Sequence, residues 1–398
     1  MKKLLDGVYF TGVLNPNMRV FDVIMRTEYG TSYNSYVVRG TDKIALIETA
    51  HKSFSALFQE EISEILQGNA PDYLIINHTE PDHSGCVAEL LKQFPDIEVF
   101  ATRAASVYLK NITNITDLRV HVVKDGETLN LGGKTLRFLP APFLHWPDSM
   151  FTYLEEDKVL FSCDFLGAHY CEPGVLDKHF VYHEAYESAL KNYFDCIFGP
   201  FLPWVRKGLE KIEPLQPDII CPSHGPVLTQ GLMLEHALEK YAFWSREKIA
   251  AQKRIPIFYC SAYGNTAALA EAVRRGILRV FPQAECETYN IIDHDMAKLE
   301  ELLNVNDAFA IGCLTMNRDA VPPIHTLLAH ADAVNIAKRP AALFGSYGWS
   351  GEGFTNTAAR LGNLKCRVFE EQFKVTLVPT VDDIAAAEDF GERFARNL

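Results

Sequence analysis

The 398-residue sequence lacks any run of about 18 apolar residues, so no segment offers a membrane-spanning helix. A signal-peptide hydrophobic region is missing too, because MKKLLDGVYF turns polar and takes up a glycine almost at once. No two of the nine cysteines are spaced C-x-x-C, and their number is odd. That argues against a disulfide scaffold or zinc knuckle and for reduced thiols. No Lys/Arg cluster offsets the net charge of −13, which excludes nucleic-acid binding through phosphate neutralisation. Internal repeats and low-complexity segments are absent. What remains is an ordinary globular composition, 48% hydrophobic, and a cytoplasmic protein that does not enter a membrane is expected. At this length two domains are expected, since single cores seldom exceed ~250–300 residues.

The polar, basic stretch from Arg246 to Arg254 precedes the apolar run Ile255–Cys260, and the boundary is placed there: residues 1–250 and 251–398. The first part holds most of the acidic excess, with 33 acidic against 23 basic side chains. It opens with short strand-like pieces (Gly7–Phe10, Asn34–Val38, Lys43–Glu48) and continues with interspersed helical stretches, as a layered α/β domain would. The second part alternates apolar runs at Ile255–Cys260, Ala308–Leu314 and Ala341–Phe344, and a weaker, more polar one around Glu285–Ile291, with helical periods at Thr266–Leu278, Ile324–Ala333, Phe354–Leu361 and Asp382–Arg396. That rhythm predicts a parallel sheet covered by helices.

In the first part, Asn77-His78-Thr79-Glu80-Pro81-Asp82-His83-Ser84-Gly85 follows the strand-like run Tyr73–Ile76. Four ligand-type side chains in six residues converge only if the backbone turns sharply, which Pro81 and Gly85 favour. A polar loop with Asp82 capping the next helix would be the plain alternative, but so many desolvated groups are costly without a shared cation. Further candidates end later strands: His145 after Leu136–Leu139, Asp164 after Val159–Phe161, and His224 after Asp218–Cys221. Singly, His145 or His224 would be an ordinary hydrogen-bonded histidine. Jointly, these strand ends describe a two-metal site, with Asp164 as the bridging group, since a carboxylate can span ions ~3.5–4 Å apart.

In the second part, Ser261-Ala262-Tyr263-Gly264-Asn265-Thr266 closes a strand and opens a helix, forming a nest for a terminal phosphate. There is no Walker lysine and no G-x-G-x-x-G, which disfavours an ATPase or a dinucleotide site. Two further loops follow strands: Leu314-Thr315-Met316-Asn317 after Gly312, and Ser346-Tyr347-Gly348-Trp349-Ser350-Gly351 after Gly345. Their glycines let backbone approach a flat ring, and Tyr347 and Trp349 offer stacking surfaces. All three loops lie where open parallel sheets bind ligands, and the pattern resembles flavodoxin with FMN.

H-x-[HE]-x-D-H with a later His, Asp and final His resembles the metallo-β-lactamase fold, an αββα sandwich with metals at one edge. Its hydrolytic members usually carry His where this chain has Glu80. A harder ligand set suits iron or manganese, although ligand type alone does not exclude zinc. The whole chain, through HTEPDHSG, LHWPDSMFTY, the CDF around Asp164, PSHG, SAYGNT and FGSYGWSG in order, resembles the flavodiiron proteins, or A-type flavoproteins. That resemblance implies FMN and two non-haem irons, with His78, Glu80 and His145 on one iron, Asp82 and His224 on the other, and Asp164 bridging. His83 matches a position that ligates in some members and is replaced by water in others. His169 and Tyr193 resemble the family's pocket residues beside the metals. The resemblance further implies a head-to-tail homodimer or dimer of dimers. With no rubredoxin-like module after Arg396, a separate donor such as rubredoxin or a reduced deazaflavin is expected.

The expected activity is reduction of O2 to water, of NO to N2O, or both; two ferrous ions and a flavin match the electron count of either. Two rivals are a two-zinc hydrolase with an appended flavin domain, against which Glu80 speaks, and a flavodoxin-like electron carrier whose metal domain is structural.

Overall fold

The computed structural model describes residues 2–246 and 252–398, and the chain divides into two compact units, Met1–Glu247 and Lys248–Leu398. The boundary expected at 250/251 falls outside the described residues. Among them, no helix is long and apolar enough to cross a membrane, and all nine cysteines are free thiols.

The first unit is built on two sheets. One has seven strands, in spatial order Lys2–Leu5, Val8–Phe10, Tyr36–Arg39, Ile44–Ile47, Tyr73–Ile76, Glu98–Ala101 and Val120–Val122, parallel from Ile44–Ile47 onward. The other has six: Thr128–Asn130, Thr135–Pro140, Met150–Leu154, Val159–Cys163, Ile219–Pro222 and Leu228–Thr229. The runs Tyr73-Leu74-Ile75-Ile76 and Ile44-Ala45-Leu46-Ile47 are apolar without alternation because both faces of their sheet are covered. Ile75, Ala45 and Ile47 face inward, onto Phe138, Met150, Phe161 and Cys221 of the second sheet. Leu74, Ile76 and Leu46 face outward, onto helices Ser55–Leu66, Val87–Gln93 and Arg103–Thr113. Phe151, Leu160 and Ile220 on the outer face of the second sheet pack against helices His183–Tyr193, Leu202–Ile212 and Met233–Trp244. The result is the expected αββα sandwich. Its parallel strands Ile44–Ile47 and Tyr73–Ile76 in one sheet, and Val159–Cys163 and Ile219–Pro222 in the other, release their carboxyl ends into the loops that carry the candidate ligands.

The second unit holds five parallel strands in the order Thr288–Asn290, Ile257–Tyr259, Phe309–Gly312, Pro340–Tyr347, Arg367–Thr376. Counted along this unit, the order is 2-1-3-4-5, that of a flavodoxin-like doubly wound sheet. Ile257, Ala310 and Phe344 face helices Asn265–Val280 and Val381–Arg396. Phe258, Ile311 and Leu343 face Met296–Asn304, Pro322–Ala329 and Glu352–Asn363 on the other side. The helical period read over Ile324–Ala333 proves to be two segments, Pro322–Ala329 and Ala333–Ile336, the second opened by the Asp332 side chain accepting from Val334 N–H.

Candidate functional site

The loop after Tyr73–Ile76 folds into a short helix, Pro81–Ser84, started by proline at its first position. Glu80 occupies the capping position without a side-chain cap bond, so Asp82 caps nothing and its carboxylate is free to face inward. Gly85 is required by close approach, since a Cβ there would lie 2.5 Å from the Pro81 carbonyl and 2.6 Å from the Lys52 nitrogen. On the second sheet, the pairing shifts register between Phe161 and Cys163, and Cys163 adopts φ +55°, turning Asp164 off the strand end.

All seven candidate ligands come together. His78 Nε2 lies 3.1 Å from Glu80 Oε2, and His145 Nε2 lies 3.2 Å from the same oxygen. His224 Nε2 lies 3.1 Å from Asp82 Oδ2. Asp164 stands between the two groups. Its Oδ2 is 3.7 and 3.4 Å from His78 and His145, while its Oδ1 is 3.1 and 3.4 Å from His83 and His224. His78, Glu80, His145 and Asp164 each bring one ligand atom within 4.8 Å of the others, and so do Asp82, His83 and His224. His169 and Tyr193 lie alongside: the Tyr193 hydroxyl donates to Asp164 Oδ1 at 3.1 Å, and the His169 ring sits 4.8 Å from Tyr193 and 5.3 Å from His224.

These residues fit a pair of cations. Among the described residues, both oxygens of Asp82, Oδ2 of Asp164 and Nε2 of His83 are buried without a hydrogen-bond partner, despite their short mutual distances. They are aimed at common points rather than at one another. Leaving each unsatisfied costs about 1–3 kcal/mol, and a shared ion satisfies them together.

The electrostatics agree. Burial disfavours a charged His78, yet hydrogen bonds to Asp148 and Glu80 overcome it and raise its pKa to about 10. Burial likewise opposes charge on His83, whose pKa is nonetheless held well above the usual value by Asp82 and Asp164. Asp164 resists burial through His83 and His145 and stays well below the usual carboxylate range. Protons on the imidazoles thus do, without metal, what cations would do. His169 differs, since burial and then His224 lower its pKa to about 3, leaving a neutral ring with a buried, unpartnered Nε2.

The sequence reading did not single out the groups that hold the candidate ligands from behind. Asp148 Oδ2 lies 3.1 Å from His78 Nδ1 and accepts from the Thr79 N–H and hydroxyl at 2.8 and 2.7 Å. Glu48 Oε2 lies 3.0 Å from His83 Nδ1, and His224 Nδ1–H donates to the Ser32 carbonyl at 2.6 Å. Asp148 was visible only as a letter within LHWPDSMFTY, and Glu48 only as the last residue of an expected strand. Asp22, bonded to Glu80, is pushed up to about 7, by burial first. Phe21 covers His169 with ring centroids 4.3 Å apart. An apolar pocket of about 400 Å³, lined by Tyr108, Phe143, Trp146, Pro147 and Phe201, opens beside His145.

In the second unit, the three candidate loops leave neighbouring strand ends and are tied together. Cys260 N–H donates to the Gly312 carbonyl, Cys313 N–H to Phe344, Ser346 N–H to the Thr266 hydroxyl, and Gly353 N–H to that of Thr315. Gly264, at φ +82°, turns the first loop into a 16-residue helix whose first-turn N–H groups have no intrahelical acceptor. Ser261 Oγ accepts from Ala267 N–H at 3.3 Å. This open turn, with Asn265 and Thr266 at its start, fits a phosphate. Tyr263 and Trp349 are 91% and 90% exposed, whereas Tyr347 packs edge-on against Phe354. Asn317 takes a left-handed turn position (φ +53°) between the short strands Thr315–Met316 and Asp319–Ala320.

Comparison with known proteins agrees with both halves. A family model described as ODP family beta lactamase matches residues 31–225, and a flavodoxin model matches 257–390. Flavo-diiron protein FprA2 of Clostridium acetobutylicum is 48% identical over 397 residues, covering 100% of this chain and 99% of that protein. The anaerobic nitric oxide reductase flavorubredoxin of Klebsiella pneumoniae is 34% identical over 379 residues, covering 93% of this chain and 77% of its own. The structure of rubredoxin oxygen:oxidoreductase from Desulfovibrio gigas superposes with a TM-score of 0.70 at 26% identity, covering 100% of this chain and 98% of that one. With near-complete coverage on both sides and a lactamase-like unit preceding a flavodoxin unit, the chain belongs to the flavodiiron proteins, oxidoreductases that join a non-haem diiron site to FMN.

Proposed function

We propose that this chain reduces O2 to water, NO to N2O, or both, at a diiron site fed by FMN. The observation that carries the reading is the division of the two Asp164 oxygens between two imidazole–carboxylate groups. His78, Glu80 and His145 would hold one iron, and Asp82, His83 and His224 the other, with Asp164 shared. The inward aim of His83 Nε2 supports its place among the ligands. When bound, the two ferrous ions and the flavin supply the electrons for the gas.

The protein's own groups then set access and protonation. The open depression beside His145 has an apolar lining, across which an uncharged diatomic molecule would meet little polar surface. His169, neutral and with Nε2 unpartnered, is placed to hydrogen-bond a reacting oxygen, and Tyr193 holds the bridging carboxylate in orientation. On the flavin side, Ser261, Asn265 and Thr266 would bind the phosphate, with Trp349 or Tyr347 near the ring. The names of the two less similar relatives point to O2 and NO as substrates and to rubredoxin as donor; a reduced deazaflavin is the alternative donor. We assign the protein to the cytoplasm and its working form to a head-to-tail homodimer or dimer of dimers.

The test is stoichiometric. Iron and FMN are measured per chain in protein made in iron-sufficient medium, followed by anaerobic turnover of each gas with a chemically reduced donor. Two irons, one FMN and consumption of at least one gas are expected. Two tightly held zinc ions with no gas turnover would overturn the reading in favour of a hydrolase.

A further inference from the structure

We infer that Glu48 determines whether His83 is a metal ligand, by fixing which ring nitrogen carries the proton; this rests on the diiron reading above. Glu48 follows the strand Ile44–Ile47 and is 1% exposed, with φ +62°, a left-handed conformation unusual for a residue with a side chain. The turn sends its carboxylate behind the ligand loop. Oε1 accepts the N–H groups of Asn77 and His78, at 2.5 and 3.2 Å, and Oε2 faces His83 Nδ1 at 3.0 Å. The next residue grips the same histidine by its backbone: Thr49 N–H and hydroxyl donate to the His83 carbonyl at 2.8 and 2.5 Å.

In the neutral ring that metal ligation requires, an acceptor on Nδ1 holds the single proton there, which leaves the lone pair on Nε2, the nitrogen turned towards Asp82 and Asp164. Glutamine at position 48 has the same shape but one donor end. The two backbone N–H groups of Asn77 and His78 would claim its oxygen, because an amide nitrogen there would meet them donor to donor. Its NH2 would then face Nδ1, which would have to become an acceptor. The proton would move to Nε2, and His83 could no longer ligate. Glu48 is therefore a positioning residue, acting on the metal only through His83.

Two measurements decide it. In protein loaded with zinc as a diamagnetic stand-in, nitrogen NMR of isotope-labelled histidine, assigned by loss of one signal in His83→Ala, should find His83 protonated at Nδ1 and metal-bound at Nε2. In Glu48→Gln that signal should shift to a free, Nε2-protonated ring while the other histidines stay in place. In iron-loaded protein, the Mössbauer spectrum of Glu48→Gln should change at one ion only, match that of His83→Ala, and show no further change in the double variant. A wild-type His83 protonated at Nε2, or a Glu48→Gln spectrum identical to wild type, would overturn the inference. The wild-type NMR result stands even if Glu48→Gln does not fold. Wild-type protein that fails to hold two irons would instead sink the diiron reading, so the two failures are told apart in one preparation.

Discussion

Asp164 and Asp82 are both buried carboxylates beside imidazoles, yet their geometry gives them unequal duties. Among the described residues, Asp82 pairs with His83 and His224, whereas Asp164 presents one oxygen to that pair and the other to His78 and His145. Two dications ~3.5–4 Å apart repel strongly in a partly desolvated site, and a shared anion is what offsets that repulsion. Asp164→Ala should therefore lose both irons, while Asp82→Ala should keep the ion held by His78, Glu80 and His145. Iron per chain after identical purification and dialysis checks this, and equal iron in the two variants would contradict bridging. The same scale shows what could be read from the sequence. The convergence of His78, Glu80, Asp82 and His83 was legible because four ligand-type side chains in six residues have no cheap structural explanation. Glu48 and Asp148 were not, because an acidic residue at a strand end becomes informative only when the histidine behind which it sits is known.

Helices Asn265–Val280 and Val381–Arg396 meet through two glycines. A Cβ on Gly276 would lie 1.8 Å from the Glu388 carbonyl oxygen, and one on Gly391 would lie 2.2 Å from that of Val273. Both obstacles are backbone, so a helix must move. Gly276→Ala gains ~1 kcal/mol of helix propensity but incurs overpacking of about 1–3 kcal/mol, and the backbone contact puts it at the high end. A net loss of stability is expected, together with weaker FMN binding if Asn265–Val280 carries the phosphate at its first turn, as proposed. Gly362→Ala, near the end of Glu352–Asn363 with nothing within 4 Å of its Cβ, is the control and should be neutral or stabilising. Denaturant melts and FMN titration of the two variants make the comparison, and equal behaviour would refute the packing argument. At this scale, apolar strands such as Ile257–Tyr259 and Phe309–Gly312 were legible as runs. Arg367–Thr376 was not read as a strand, since Glu370, Glu371 and Gln372 interrupt its apolar pattern at the sheet edge. Helix Met296–Asn304 also passed unread, with only Leu299 and Leu303 fully buried along it.

At the scale of the whole molecule, the two cofactor sites are built from separate stretches of chain. Every candidate metal ligand lies before residue 247, and every flavin loop lies after residue 252. The candidate ligands and the candidate flavin loops are each drawn from one stretch of chain, a layout compatible with electron transfer within a chain or between chains. A two-fold dimer that passes electrons between subunits contains two equivalent flavin–diiron pairs, each drawn from both chains. Mixing two inactive variants separates the arrangements. One lacks metal ligands through His78→Ala with His145→Ala but keeps FMN. The other keeps the metal site but cannot bind FMN, through changes at Ser261, Asn265 and Thr266. If transfer runs between subunits, a heterodimer of the two restores one working pair and should recover up to half the wild-type turnover per dimer. If it runs within a chain, the first variant has a flavin without irons and the second irons without a flavin, and no turnover returns. Co-expression with two affinity tags isolates the heterodimer, and iron and FMN analysis verifies its content before the gas assay. Absence of turnover in verified heterodimers, or full activity in a demonstrably monomeric wild-type preparation, would reject intersubunit transfer.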